Sequence, residues 1–276
     1  MELGAQSGGM PKISLKKVSK LYHARQPVQA LAGVDLDIPE GEFVALLGPS
    51  GCGKSTILRM LAGLHRPSEG SVVIRAASRA VTRASATAMV FQSYNVFPWK
   101  TIEDNVRFGL QMARVPAAEA SERTARWLKK MGLSEFAKAY PAALSGGMLQ
   151  RVSIARALAV DPEILLMDEP FAALDAQHRR IMQEELLQLW QENRRTVVFV
   201  THSIEEAILL ADQVVVMSAR PGKVIGRFRV PFERPRSAAV RTDPGFARME
   251  QDIWELLRLE VERAYARKAD MMEAKA

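Results

Sequence analysis

Apolar residues follow two rhythms along this chain. Ile13-Ser14-Leu15-Lys16-Lys17-Val18 and Val34-Asp35-Leu36-Asp37-Ile38 alternate apolar with polar positions, as strands buried on one face do. Phe43-Val44-Ala45-Leu46-Leu47 is a continuous apolar run, and Ile164 to Met167, Thr196 to Val200 and Val214 to Met217 are close to it; such short runs suit strands buried on both faces. Ala88-Met89-Val90-Phe91 reads as a further strand. Helical patterns lie between them, at Thr56 to Ala62 with Gly63 as a stop, and at Gln177 to Gln191. Buried strands alternating with helices predict an α/β fold whose parallel sheet is covered on both faces.

From about Thr101 to Leu158 the helical period dominates and Ala117 to Met131 is rich in Ala, Glu and Arg. This predicts a helical subdomain, over about 93–158, inserted between two halves of the sheet domain. Past about Val230 the strand patterns end. Phe246, Met249, Ile253, Leu256 and Leu257 then recur at helical spacing, so residues 231–276 are expected to form a helical extension that docks on the domain, on a second copy or on a partner.

The 276 residues, 48% hydrophobic, suit one large domain with or without a small annex. The net charge of +7 is spread without a block of like charges, which favours solubility over nucleic-acid binding. Cys52 is the single cysteine, so no intrachain disulfide can form and a reducing compartment fits. Met1 to Ser14 lacks the apolar core of a signal peptide, and no run approaches the roughly 18 apolar residues of a membrane span. The expected chain is soluble or peripheral.

Gly48-Pro49-Ser50-Gly51-Cys52-Gly53-Lys54-Ser55 fits G-x-x-x-x-G-K-[ST] between a predicted strand and a predicted helix. Glycines let backbone N–H groups converge on phosphate oxygens, and the helix points its positive end at them. Lys54 is expected to reach the β and γ phosphates and the Ser55 hydroxyl to bind Mg²⁺; Thr56 extends the candidate nucleotide-binding set. Cys52 has two readings, a small side chain that fits the loop or a thiol made reactive by the helix N-terminus. Asp168 and Glu169 end the apolar run Ile164 to Met167, where strand ends face the ligand crevice. Asp168 is placed to hold Mg²⁺ and Glu169 to polarise the attacking water.

Leu144-Ser145-Gly146-Gly147, with Gln92 before it and His202 after the acidic pair, makes residues 13–230 resemble the ATP-binding subunits of ABC transporters. The resemblance implies a P-loop NTPase, ABC-type nucleotide-binding domain with a parallel-sheet core, an antiparallel β subdomain, the helical insert and the C-terminal helix. It implies ATP and Mg²⁺ as cofactors, with Ser145, Gly146 and Gly147 contacting the γ-phosphate of ATP held by a second subunit. Tyr22 matches the aromatic that stacks on adenine, and Gln92 the glutamine that touches Mg²⁺ and water. Asp175, in Ala173-Leu174-Asp175, matches the loop that crosses to the opposite subunit, and His202 the histidine on the γ-phosphate. Catalysis would then rest on Glu169, His202, Lys54 and Gln92, and metal binding on Ser55, Gln92 and Asp168. Met148 stands where the family usually has Gln and lacks its polar contact, which puts nucleotide affinity or the sugar contact across the dimer at issue and leaves the phosphate contacts intact.

The stretch Val96 to Val106, Met148 itself and the tail around Arg241-Thr242-Asp243-Pro244 resemble the importer group for nitrate, sulfonates and taurine. That resemblance implies membrane-spanning permease subunits, a second ATP-binding subunit and, indirectly, a solute-binding protein as partners, no nucleic acid, and a place on the cytoplasmic face of the inner membrane. Importers of another solute class, or an ATP switch without transport, are the alternatives. A chromosome or repair ATPase would need a long coiled coil between Gln92 and Ser145, and the interval is too short and lacks heptads.

Overall fold

The computed structural model describes residues 10–23, 27–76 and 86–273. Most of the N-terminal stretch read for a leader, and residues 274–276 of the extension, lie outside them. A six-stranded sheet has the order β5 (Thr87–Val90), β6 (Ile164–Asp168), β7 (Thr196–Thr201), β3 (Phe43–Leu47), β8 (Gln213–Met217), β9 (Val224–Arg229). Its strands pair in parallel except β9, which runs antiparallel at the edge. A three-stranded antiparallel sheet has the order β2 (Val28–Ile38), β1 (Ile13–Tyr22), β4 (Glu69–Ile74).

The continuous apolar runs are buried along their whole length because the sheet has a core on each side. Side chains alternate across a strand, so β3 divides itself: Val44 and Leu46 join one core, Phe43, Ala45 and Leu47 the other. The first core lies between the two sheets and encloses α1 (Lys54–Leu61) through Ile57, Leu58, Met60 and Leu61. It receives Ile13, Leu15, Leu36 and Ile38, the apolar half of the alternating segments.

The second core gathers the helices. Between β5 and β6 run α2 (Ile102–Met112), α3 (Ala117–Lys130) and α4 (Gly146–Ala159); α5 (Ala176–Glu192) and α6 (Ile204–Leu210) follow. Ile102, Val106, Trp127, Val152 and Leu187 meet Phe199 and Val216 there. α7 (Pro244–Glu273) buries Phe246, Ile253 and Leu257 in this same core. Of the three docking options for the tail, the structure therefore realises the first, its own domain. The connection is held by Arg236, whose guanidinium donates to the carbonyls of Ile208, Leu209 and Ala211 at the end of α6, a cationic cap on a helix C-terminus. Burial, and then Arg234 nearby, lowers its pKa to about 10.

β4 and β9 are not anticipated by the apolar pattern. Both are edge strands, β4 largely exposed and β9 mostly half-buried, so burial leaves little apolar imprint on them. β2 also starts earlier than its alternation, at Val28.

Candidate functional site

β3 delivers the chain to Gly48, and the loop closes onto α1 through Gly53, whose backbone is left-handed at φ 99°. A Cβ at Gly53 would lie 2.5 Å from the Leu31 side chain and 3.0 Å from the Ala30 carbonyl. Only glycine accepts both the conformation and the approach of β2. Lys54 is 5% exposed, and its Nζ donates to the carbonyl oxygens of Gly48 at 2.7 Å and Pro49 at 3.1 Å. Among the described residues no carboxylate pairs with it, so this buried cation is balanced by dipoles and suited to an anionic ligand.

The Ser55 hydroxyl donates to Asp168 Oδ1 at 2.8 Å, joining the first turn of α1 to the end of β6. Burial, and then the Glu169 charge, raise the Asp168 pKa, against the Ser55 hydrogen bond and the charges of Arg59 and Lys54. Glu169 turns out of the strand at φ 46°, a costly conformation for a residue with a Cβ and one that recurs at functional sites. Its N–H is held by the Val200 carbonyl at 3.0 Å. Its carboxylate accepts from Gln92 Nε2 at 3.3 Å and lies 3.4 Å from His202 Nδ1. Ser55, Asp168 and Gln92 together offer a hydroxyl, a carboxylate and an amide oxygen, the hard-oxygen donor set that suits Mg²⁺.

Most of these groups border a cleft of about 360 Å³ lined by Ser50, Gly51, Gly53, Lys54, Ser55, Thr56, Gln92 and Glu169 together with Tyr22, Val28, Ala30 and Arg220. The Tyr22 hydroxyl lies 3.3 Å from Thr56 Oγ1, and its ring meets His65 edge-on. Gly48, Pro49, Cys52, Asp168 and His202 are not among the residues that line the cleft. The reactive-thiol reading of Cys52 is corrected: its side chain is 1% exposed, and burial pushes the thiol pKa up despite the neighbouring Lys54. A protonated, enclosed thiol is unreactive, which leaves Cys52 as the small residue that fits.

Ser145, Gly146 and Gly147 are elsewhere. They form the exposed N-terminus of α4, where Ser145 caps the helix by accepting from the Met148 N–H at 3.4 Å. Asp175 caps α5 close by, accepting from the N–H groups of Gln177 and His178 and meeting His178 Nδ1 at 2.6 Å. The His178 N–H and then its ring hold the Asp175 carboxyl below the usual range. The His178 ring is 3.5 Å from where a Gly147 Cβ would be, and the Tyr94 hydroxyl 2.8 Å from the same point at Gly146. Met148 packs against the apolar core. Tyr94, His178, Val28, Ala30 and Arg220 escape the sequence reading; the only signals for the first two are closeness to Gln92 and capping distance from Asp175.

The family model described as ABC transporter matches residues 31–172. The chain is 46% identical over 252 residues to an uncharacterised ABC transporter ATP-binding protein of Methanocaldococcus jannaschii, covering 91% of this chain and 92% of that protein. It is 47% identical over 253 residues to the taurine import ATP-binding protein TauB of Rhizobium johnstonii, covering 89% and 96%. It is 41% identical over 238 residues to the nitrate import ATP-binding protein NrtD of Synechococcus elongatus, covering 84% and 86%. Among solved structures, the dimeric ATP-binding cassette MJ0796 bound to ADP and Pi superposes with a TM-score of 0.69 at 35% identity, over 80% of this chain and all of that one.

Proposed function

The chain belongs to the ATP-binding subunits of ABC transporters and is an ATPase, and from that premise we propose that it powers import of a small anion such as nitrate, a sulfonate or taurine. The observation that carries the catalytic part of this reading is the meeting of Gln92, His202 and Glu169, with Ser55 and Asp168 hydrogen-bonded to each other behind them. Lys54 neutralises charge on the β and γ phosphates. Ser55, Asp168 and Gln92 hold Mg²⁺, which when bound offsets further phosphate charge. Glu169 accepts a hydrogen bond from the attacking water, and Gln92 and His202 keep its carboxylate oriented. Tyr22, above Thr56, offers a face to the adenine.

Ser145, Gly146 and Gly147 present N–H groups to the γ-phosphate held by a second copy, with Asp175 crossing beside them. The coarser functional units are residues 13–230 for nucleotide chemistry, with the helical part over about 93–158, and residues 231–276 as the extension. Its partners in this reading are membrane-spanning permease subunits, with this chain on their cytoplasmic side, in keeping with the import relatives; among the described residues no helix is long and apolar enough to cross a membrane. The solute class follows the named taurine, sulfonate and nitrate import relatives. The test is ATPase activity of the reconstituted importer with its permease and solute-binding protein. Stimulation by taurine, an alkylsulfonate or nitrate is expected; stimulation by none of them, with a cation or sugar active instead, removes the anion reading.

A further inference from the structure

The turn between β8 and β9 is bound to the phosphate loop by contacts that the nucleotide chemistry above does not use. The Gly222 N–H donates to the Ala30 carbonyl at 2.9 Å, and the Ala32 N–H to the Gly222 carbonyl at 3.1 Å, which stitches the turn to β2. A Cβ on Gly222 would lie 1.9 Å from the Cys52 carbonyl oxygen, so the turn backbone rests directly on the loop. The Ser218 hydroxyl ties the turn internally, meeting the Pro221 carbonyl at 3.1 Å and accepting from the Lys223 N–H at 2.9 Å. From this support the Arg220 Nε donates to the Gly51 carbonyl at 3.3 Å, and its Nη2 lies 2.9 Å from where a Gly51 Cβ would be.

Arg220 borders the cleft beside Ser50 and Gly51, and Lys54 is the other cation in that lining. Arg220 is exposed, and among the described residues no carboxylate pairs with it. One edge of its guanidinium is spent on the loop, and the terminal N–H groups remain for an anion in the cleft. A planar fork of this kind grips phosphate oxygens in a fixed orientation, where the Lys54 ammonium acts as a point charge. The turn is held from the far side as well. The Ala219 N–H, next to Arg220, donates at 3.1 Å to Glu260 Oε2 of α7, a buried carboxylate.

We propose that Arg220 is a further nucleotide-phosphate contact, and that Glu260, acting through the 218–222 turn, is the positioning residue that makes the C-terminal helix part of the nucleotide site. The proposal rests on the ATP-binding reading and adds to it a second cation and a physical link from the tail to the phosphate loop.

The experiment is equilibrium binding of fluorescent ATP, ADP and AMP analogues to the full-length chain, with melting temperature measured alongside. Wild type and Lys54→Ala establish the baseline; a wild type that binds none of the nucleotides defeats the ATP-binding reading itself and not the role of Arg220. Arg220→Ala is expected to weaken ATP and ADP by about tenfold, the scale of a lost charge-assisted hydrogen bond. AMP, with a single phosphate, should lose much less, and Arg220→Lys should recover part of the loss. Unchanged affinity for ATP and ADP, or an equal loss for all three nucleotides, overturns the phosphate contact. Glu260→Ala should weaken ATP in the same direction by a smaller factor, with Glu260→Gln, which keeps an acceptor, close to wild type. In the Arg220→Ala background Glu260→Ala should cost nothing more; a full additional loss there shows that Glu260 acts by another route.

Discussion

At the phosphate loop, glycines lead into the N-terminus of α1, and the functional side chains around it meet one another: Lys54 with loop carbonyls, Ser55 with Asp168, Glu169 with Gln92 and His202. At Ser145 to Gly147 similar ingredients lead into α4, but Ser145 and Gly146 are exposed, with Tyr94 and His178 lying beside the loop. In the function proposed above both serve as anion sites through their backbone N–H groups. They differ in whether the chain supplies the opposite wall. The phosphate-loop site has β6, β7 and β2 around it, whereas the α4 site has solvent. An exposed half-site is what the proposed head-to-tail pairing predicts, in which a second copy would bring its nucleotide to it.

The largest effect should come from the complete side. Glu169→Gln keeps the shape and the contact with Gln92 but cannot take a proton, so turnover should fall by about 10²–10⁴-fold. ATP binding should persist, and light scattering with ATP present should show a trapped dimer. Unchanged turnover would remove Glu169 from the mechanism.

Next comes the incomplete side. Ser145→Arg should abolish hydrolysis while ATP still binds, because the damage lies on the partner's nucleotide. Mixing it with the inactive Lys54→Ala variant should restore turnover, since one of the two sites in the mixed dimer then has an intact phosphate loop and an intact Ser145. A mixture as inactive as its components would mean that the two sides do not work in trans.

Asp168 separates stability from function within the complete side. An acid whose pKa is raised on folding contributes its stability while protonated, below the unfolded value of 3.8, and loses it as pH rises toward the folded value. At neutral pH, above the unfolded value, that contribution is reduced, and burying this carboxyl therefore costs stability. Asp168→Asn should melt a few degrees higher at pH 7 yet lose metal-dependent turnover, with the stability difference vanishing below about pH 4. A lower melting temperature at pH 7 would refute the assignment of burial as the dominant influence.

The smallest effect is expected at Met148. Its side chain packs on the core, so Met148→Gln trades apolar burial for a polar contact across the dimer. ATP affinity should change by less than about tenfold, with melting lowered slightly. A much larger gain in affinity would show that the missing polar contact limits this protein.

The sequence by itself determined the strands of the parallel sheet, the phosphate loop, the acidic pair and the helical insert. Buried runs and glycine-lysine spacing are local demands of burial and of phosphate geometry, and they leave local traces. The edge strands β4 and β9, neither of them fully buried, leave almost none. Tertiary structure alone decided that the tail helix docks on its own domain, that Cys52 is sealed and inert, and that Arg220 reaches Gly51 from 169 residues away. The reason in each case is that the interaction joins segments distant in the chain. No spacing within either segment encodes it, because its energy appears only when the fold brings the two together.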